Sequence, residues 1–215
     1  MATLPSEPAA LGRVARRRQA VVEEVLDHAV DVMTELGVGG LSVSEVARRM
    51  GMRGPSLYKY FPSLHALYDA LFGRGLASLS AAERAGVEGE EPGVPRLRAG
   101  GRAVVGWSVE NPALAQLLFW RPVPGFEPSD ATFAASADDM SQVRAELAEA
   151  VRRGQLAPSA DSDEALRLYT VVLSGLISQQ MANEPDVPFD TGRFTALTDS
   201  ALDMYFQNYA PTRRT

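Results

Sequence analysis

Residues 41–61 read LSVSEVARRMGMRGPSLYKYF, two short helical stretches around a glycine. Ser42 and Glu45 form a capping box, the hydroxyl accepting from the Glu45 amide while the carboxylate reaches back. The first helix then starts at Val43 and turns Val43, Val46, Ala47 and Met50 inward at i, i+3, i+4 and i+7. Ser44, Arg48 and Arg49 face away from that stripe. Gly51 supplies the left-handed residue that ends the helix. Pro55 sits near the first position of a second helix, where its missing N–H removes no bond, and this helix is predicted from about Pro55 to Tyr60. Leu57 and Phe61, four apart, anchor it inward. Arg53, Gly54, Ser56, Tyr58, Lys59 and Tyr60 are left at its start or outer side, and Pro62 closes it. A helix of about seven residues is ~10 Å long and the DNA major groove ~12 Å wide, so its N-terminal end fits the groove.

A long helix precedes this pair and Phe61-Pro62-Ser63 leads straight into another. The arrangement resembles the DNA-binding domain of the TetR family of transcriptional regulators over about Arg16 to Leu79. Leu41-Ser42-Val43, Val46-Ala47, Gly51, Leu57-Tyr58 and Phe61-Pro62-Ser63 carry the resemblance. It implies an all-α fold, with an N-terminal three-helix helix-turn-helix domain and a larger helical C-terminal domain for ligand binding and dimerisation. It also implies a double-stranded DNA operator as partner, met by Arg16, Arg17, Ser42, Ser44, Arg53, Gly54, Ser56, Tyr58, Lys59 and Tyr60. Three positions depart from the family's habit. Arg53 stands where a Ser or Thr cap is usual, Tyr60 where His is frequent, and Leu64 where a phosphate-binding Lys is common.

The chain's 215 residues are 46% hydrophobic and 22% charged, enough for a small domain and a larger one. A net charge of −6 looks wrong for a DNA binder until it is divided along the chain. Residues 1–62 hold eight Arg/Lys against seven Asp/Glu, and the remainder thirteen against twenty, so the acidity belongs to the body. There is no cysteine, which excludes disulfides and thiol catalysis, and His28 and His65 are too isolated for a usual zinc site. No cofactor or metal is expected. The start MATLPSEPAALGR lacks the charge and apolar core of a signal peptide, and no apolar run approaches the ~20 residues of a membrane span, so the expected location is the cytoplasm.

Residues 1–15 read as a disordered tail, 16–79 as the DNA-binding domain and 80–211 as the effector and dimerisation domain. Arg13, Arg16, Arg17 and Arg18 precede a helix striped by Val22, Val25, Leu26, Ala29, Val30, Met33 and Leu36 and ended by Gly37. Ser63 caps a linking helix with Leu64, Leu67, Tyr68, Leu71, Leu76 and Leu79 on one side, reaching Ala85. After the loop 86–95, a helix from Pro95 to Glu110 ends before Asn111-Pro112, where the asparagine caps the next, from Ala113 to Trp120. The stretch GWSVENPALAQLLF, residues 106–119, is similar to the family's subclass with a WHG-type C-terminal domain. Ser129 opens a helix with Phe133, Ala137, Met140, Val143, Leu147 and Val151 inward, stopping at Gly154.

The last two helices, about 163–182 and 193–209, are too apolar for a lone surface layer. Leu166, Tyr169, Val172, Leu173, Leu176, Ile177 and Gln180 share one side of the first, with Ser174 and Gly175 allowing close approach; Leu197, Leu202, Tyr205 and Phe206 follow on the second. They are expected to join two subunits as a homodimer, in which paired recognition helices reach half-sites ~34 Å apart. An effector pocket for a small hydrophobic or aromatic molecule is expected from Trp107, Gln116, Phe119, Trp120, Phe126, Met140, Tyr169 and Leu173. Arg102, Asn111, Gln116 and Gln180 are available as polar fixers. No phosphate loop, Ser-His-Asp set, HExxH or nucleotide fingerprint is present, so no enzymatic activity is expected. The reading is a ligand-released repressor. Its alternative is a dimeric helical small-molecule sensor or carrier that has lost specific DNA binding, which Leu64 and the barely positive N-terminal domain keep open.

Overall fold

Helices account for all regular structure among the described residues of a computed structural model, which describes residues 12–211, with 135–138 by backbone alone. Chain contacts divide it into two compact units between Leu67 and Tyr68. Residues 1–11 of the expected tail lie outside the described residues. Its last three residues are not tail, because α1 spans Arg13–Leu36. The Gly12 carbonyl accepts from the Arg16 amide at 3.0 Å, and Arg and Ala are good helix formers, so the first turn closes early.

In the N-terminal unit, α1 packs Val25, Leu26, Ala29, Val32 and Met33 into a core shared with Val38, Leu41 and α2 (Val43–Arg49). The Ser42 Oγ caps α2 by accepting from the Glu45 amide at 3.2 Å. The reciprocal half of the capping box is replaced. Glu45's carboxylate accepts instead from Arg48, at 2.8 and 2.7 Å, and from the Nε of Arg49 at 2.9 Å. Charge-assisted bonds to a guanidinium are stronger than one to a neutral amide. Arg49 therefore does not face away. Its side chain is only 16% exposed, and its two terminal nitrogens hold Glu35 of α1 at 2.8 and 2.7 Å. Met50, expected inside, is only half-buried at the end of α2.

The turn after α2 is a Schellman motif, with Met52 N–H bonded to Ala47 O at 2.8 Å and Gly51 N–H to Arg48 O at 3.2 Å. Gly51 takes φ +64°, which a side chain would strain. The second helix of the pair, α3, is shorter than expected, Gly54–Leu57. Residues 58–60 form a tighter turn, because the Leu57 carbonyl accepts from both Tyr60 N–H at 2.9 Å and Phe61 N–H at 3.0 Å.

The Glu35–Arg49–Glu45 cluster gives the unit an acid dependence. The hydrogen-bonded guanidiniums of Arg48 and Arg49 hold the Glu45 carboxyl down at about 2, and Arg49 also lowers Glu35. A depressed carboxyl contributes stability above its unfolded value of 4.5, and that contribution is lost as pH falls through the folded value. Urea midpoints followed by circular dichroism are expected to fall between pH 4.5 and about 2, and to fall less in Arg49→Gln. Equal slopes in both proteins would remove the cluster from this role.

α4 spans Leu64–Gly86, started by Ser63, whose Oγ accepts from Ala66 N–H at 3.0 Å. From Tyr68 onward the second unit is built around α5 (Val94–Glu110), which packs on α6 (Pro112–Phe119), α7 (Asp130–Arg152), α8 (Asp163–Asn183) and α9 (Thr198–Asn208). Gly101 of α5 permits this approach: a Cβ there would lie 2.8 Å from Tyr169 Oη and 3.3 Å from Leu173. Asn111 does not cap α6. Its side-chain amide donates to Trp107 O at 2.9 Å, closing the end of α5. Ser129 does cap α7, and Asp69 of α4 accepts from its N–H at 2.7 Å.

The inner face of α7 is narrower than its sequence stripe. Leu147 and Ala150 are buried, Phe133 and Met140 are exposed, and the side chain of Ala137 lies outside the described residues. The stripe of α8 named from sequence packs into its own chain: Tyr169, Leu173, Leu176, Ile177 and Gln180 are buried beside Leu202, Tyr205 and Phe206 of α9. A different strip of α8 and α9 faces outward. No helix among the described residues is long and apolar enough to cross a membrane.

Candidate functional site

The N-terminal unit presents a basic, polar surface around α3. Arg53, Tyr58 and Lys59 are exposed, while Gly54, Ser56 and Tyr60 are half-buried. Arg53 precedes α3 in extended conformation and makes no side-chain cap, leaving its guanidinium to the outside. Nothing within 4 Å would meet a Cβ at Gly54, so the chain's own packing does not require glycine there. Ser44 is exposed; Ser42 is half-buried, its hydroxyl already used as a cap. Arg16 and Arg17 are exposed on the first turns of α1, which carry no acidic residue, so their charge adds to the positive end of the helix dipole.

Arg18 is the residue that sequence reasoning missed here. Its guanidinium donates to the Lys59 carbonyl at 3.3 Å and lies 5.2 Å from the centre of the Tyr60 ring. It ties the start of α1 to the turn after α3. Its place in the arginine cluster was the available signal, but the spacing did not say which arginine reaches the turn after α3.

The eight residues expected to form an effector pocket are dispersed in the C-terminal unit. Phe119, Met140, Tyr169 and Leu173 line one hollow of about 110 Å³, together with Leu76, Leu79, Glu83 and Val143. A hollow of about 250 Å³ shares Glu83, Asp139, Val143 and Tyr169 and continues past Arg96 and Gln142. Trp107 is elsewhere, buried in the core with its Nε1 donating to Ser78 Oγ at 2.9 Å. Phe126 is also buried, its ring 5.6 Å from that of Tyr68 and 6.4 Å from that of Phe72. Gln116 and Trp120 line a separate shallow groove with Ser178, Met181 and Ala182.

Two suggested polar fixers have structural work instead. Gln180 is 1% exposed and bonds Glu184 O at 2.9 Å and Thr195 N–H at 3.3 Å, holding the loop before α9. Arg102 pairs with Asp199 and lies over the Phe189 ring at 5.8 Å. Tyr169 donates to Leu97 O at 2.5 Å, and burial pushes its phenol up, so it stays protonated. Glu83 is the lining residue that sequence reasoning missed. It lies seven residues after Leu76 and four after Leu79, on the apolar stripe of α4.

Comparison with known proteins matches both parts of the chain. Residues 25–71 fit the family model of bacterial regulatory proteins, tetR family, and residues 97–204 that of the tetracyclin repressor-like C-terminal domain. The HTH-type transcriptional regulator Rv1816 of Mycobacterium tuberculosis (strain ATCC 25618 / H37Rv) is 32% identical over 126 residues, 56% of this chain and 54% of that protein. The match thus spans about half the length of that relative. A protein of unknown function from Rhodococcus sp. RHA1 superposes with a TM-score of 0.71 at 25% identity, over 88% of this chain and 95% of the other. The transcriptional regulator FadR from Bacillus subtilis, solved in complex with stearoyl-CoA, shares the fold with a TM-score of 0.71 at 16% identity, over 86% and 97%.

Proposed function

Since this chain belongs to the TetR family of bacterial regulatory proteins, we propose that it is a cytoplasmic homodimer that binds a palindromic operator. We read it as a repressor released by a small, largely apolar ligand. The observation that carries the DNA-binding part is the outward display of Arg53, Tyr58 and Lys59 around α3, on a helix-turn-helix whose core is filled from behind by Leu57 and Phe61. The open space at Gly54 suits close approach of a phosphate backbone. Arg53 and Ser56 are assigned to base edges, and Tyr58, Lys59, Arg16 and Arg17 to phosphates, with Ser42 and Ser44 beside them.

The outward strip of the last helices supports the dimer. Leu168, Val171, Gly175, Ser178 and Ala182 of α8 recur at alternating steps of three and four, as do Leu197, in the turn just before α9, and Ser200 and Met204 on it. Val171 is 63% exposed and Met204 72%, while small residues between them permit close helix approach. α4 begins in the N-terminal unit and supplies Leu76, Leu79 and Glu83 to the hollows of the other, so it is the route assigned to release. A ligand shifts the DNA-competent state only by its differential affinity; going from 1:99 to 99:1 takes about 5.5 kcal/mol.

Selection of bound fragments from random duplex DNA tests the reading. A palindrome with half-sites about one helical turn apart, and affinity that falls steeply with salt, are expected. Salt-insensitive, unselective binding would favour the carrier alternative instead. Arg53→Ala is expected to relax preference at one half-site position at a cost of about 1–3 kcal/mol, whereas Lys59→Ala weakens all sequences alike and lowers the salt slope by about 1. Uniform weakening by Arg53→Ala would move Arg53 to the backbone.

A further inference from the structure

The inner hollow of the C-terminal unit has an unusual lining for an apolar space. Among the described residues its only charged side chains are two carboxylates, Glu83 of α4 and Asp139 of α7; the rest are apolar, aromatic or hydroxyl-bearing. Asp139 accepts from Ser80 Oγ at 2.7 Å, which places it one helical turn along α4 from Glu83. Glu83 is half-buried and its carboxylate makes no hydrogen bond or ion pair among the described residues. Of the two cations that line the adjoining hollow among the described residues, one is paired elsewhere and the other is exposed. Arg96 pairs with Glu146 at 3.2 Å and donates to Glu90 O at 3.0 Å, and Arg84 is exposed.

Carboxylates facing an apolar space without an ion-pair partner cost folding free energy, because Glu83 gives up water for no side-chain partner and Asp139 regains only the Ser80 hydroxyl. Burial and then the Asp139 charge push Glu83 up to about 7, with Arg84 opposing. A ligand that brings a positive charge removes this cost; an anionic ligand adds to it. We propose that the adjoining hollows take a cationic amphiphile, a protonated amine or quaternary ammonium on an apolar body, with its charge between Glu83 and Asp139 and its body along Leu76, Met140, Leu173 and Ile177. The inference names the chemical class of the effector and rests on the ligand-responsive reading above.

Because the positive group meets the ionised form of Glu83, binding is proton-linked. The groups lining these hollows around Glu83 are Arg84 on its own helix, Asp139 and Glu146 on α7, Arg96 on α5 and Tyr169 on α8. Tyr169 stays protonated, leaving Glu83 to titrate near neutrality.

Calorimetry on the full chain without DNA separates the possibilities, using octyltrimethylammonium, octanol and octanoate as probes of one chain length and three charges. The ammonium is expected to bind at least about tenfold more tightly than the other two at pH 8, and to lose about tenfold on going to pH 6. Glu83→Gln, which removes a poorly solvated charge without changing shape, is expected to abolish that advantage and leave octanol unchanged; Asp139→Asn should reduce it. Tightest binding by octanoate, no binding by any probe, or an ammonium preference that survives both substitutions overturns the proposal. Its failure leaves operator binding untouched. Conversely, ammonium binding that never alters affinity for the selected DNA would retain the cation site and sink the release mechanism.

Discussion

Leu57→Ala is expected to abolish operator binding while leaving the C-terminal unit folded. Leu57 is fully buried, and α3 is a helix of only four residues, too short to persist without tertiary anchoring. The same residue's carbonyl accepts the amides of Tyr60 and Phe61, so its position fixes both the helix and the turn that follows. Truncating a buried leucine costs about 2–5 kcal/mol, set against a total of about 5–15 for an ordinary domain. Here the loss falls on the smaller unit. Both tryptophans, Trp107 and Trp120, lie in the larger unit, so their fluorescence reports that unit while circular dichroism reports both. The expected result is an early loss of helical signal with an unchanged tryptophan transition, and DNA affinity reduced to the nonspecific level. Wild-type affinity in Leu57→Ala would show that α3 is not what meets the operator.

If the chain dimerises as proposed, the double substitution Val171→Glu with Met204→Glu is expected to convert the dimer to a folded monomer. Both side chains are largely exposed in the single chain, so charges there cost little in the monomer. Across a two-fold axis each charge is buried twice in an apolar seam, and the dimer dissociation constant should rise ~100-fold or more, about 2.7 kcal/mol. Sedimentation would register the change in mass. DNA binding should lose about half its salt slope, since the logarithm of affinity falls by about 0.9 per phosphate contact and one subunit supplies half of them. A dimer that survives at micromolar concentration would move the interface away from this strip.

The two predictions draw on different kinds of legibility. Leu57 and Phe61 were readable as anchors because cap, glycine, proline and apolar spacing all lie within twenty residues and act locally. The same local rules placed the starts of α2, α4 and α7, whose Ser42, Ser63 and Ser129 hydroxyls each accept an amide from three residues ahead. Val171 and Met204 were not readable in this way. Sequence showed that α8 is apolar on more than one side, but its named stripe proved to be the chain's own core.

The candidate ligand residues show the same divide. Trp107, Phe126, Phe119 and Met140 carry similar apolar sequence signals, yet Trp107 and Phe126 are buried away from Glu83 while Phe119 and Met140 line the hollow beside it. Glu83 lies four residues after Leu79 on α4, but nothing in the sequence says that α7 and α8 close around it.

What the sequence determined alone is therefore the all-helical class, most helix boundaries and the helix-turn-helix with its exposed Arg53, Tyr58 and Lys59. These depend on backbone dihedrals and on bonds between residues a few positions apart. Which face of each C-terminal helix is covered, that Arg49 turns inward and Arg18 reaches across to the turn after α3, and that two carboxylates share an apolar hollow were decided by tertiary structure. Burial and field at a side chain are set by neighbours distant in sequence, and helical periodicity records that a face is apolar without recording what covers it.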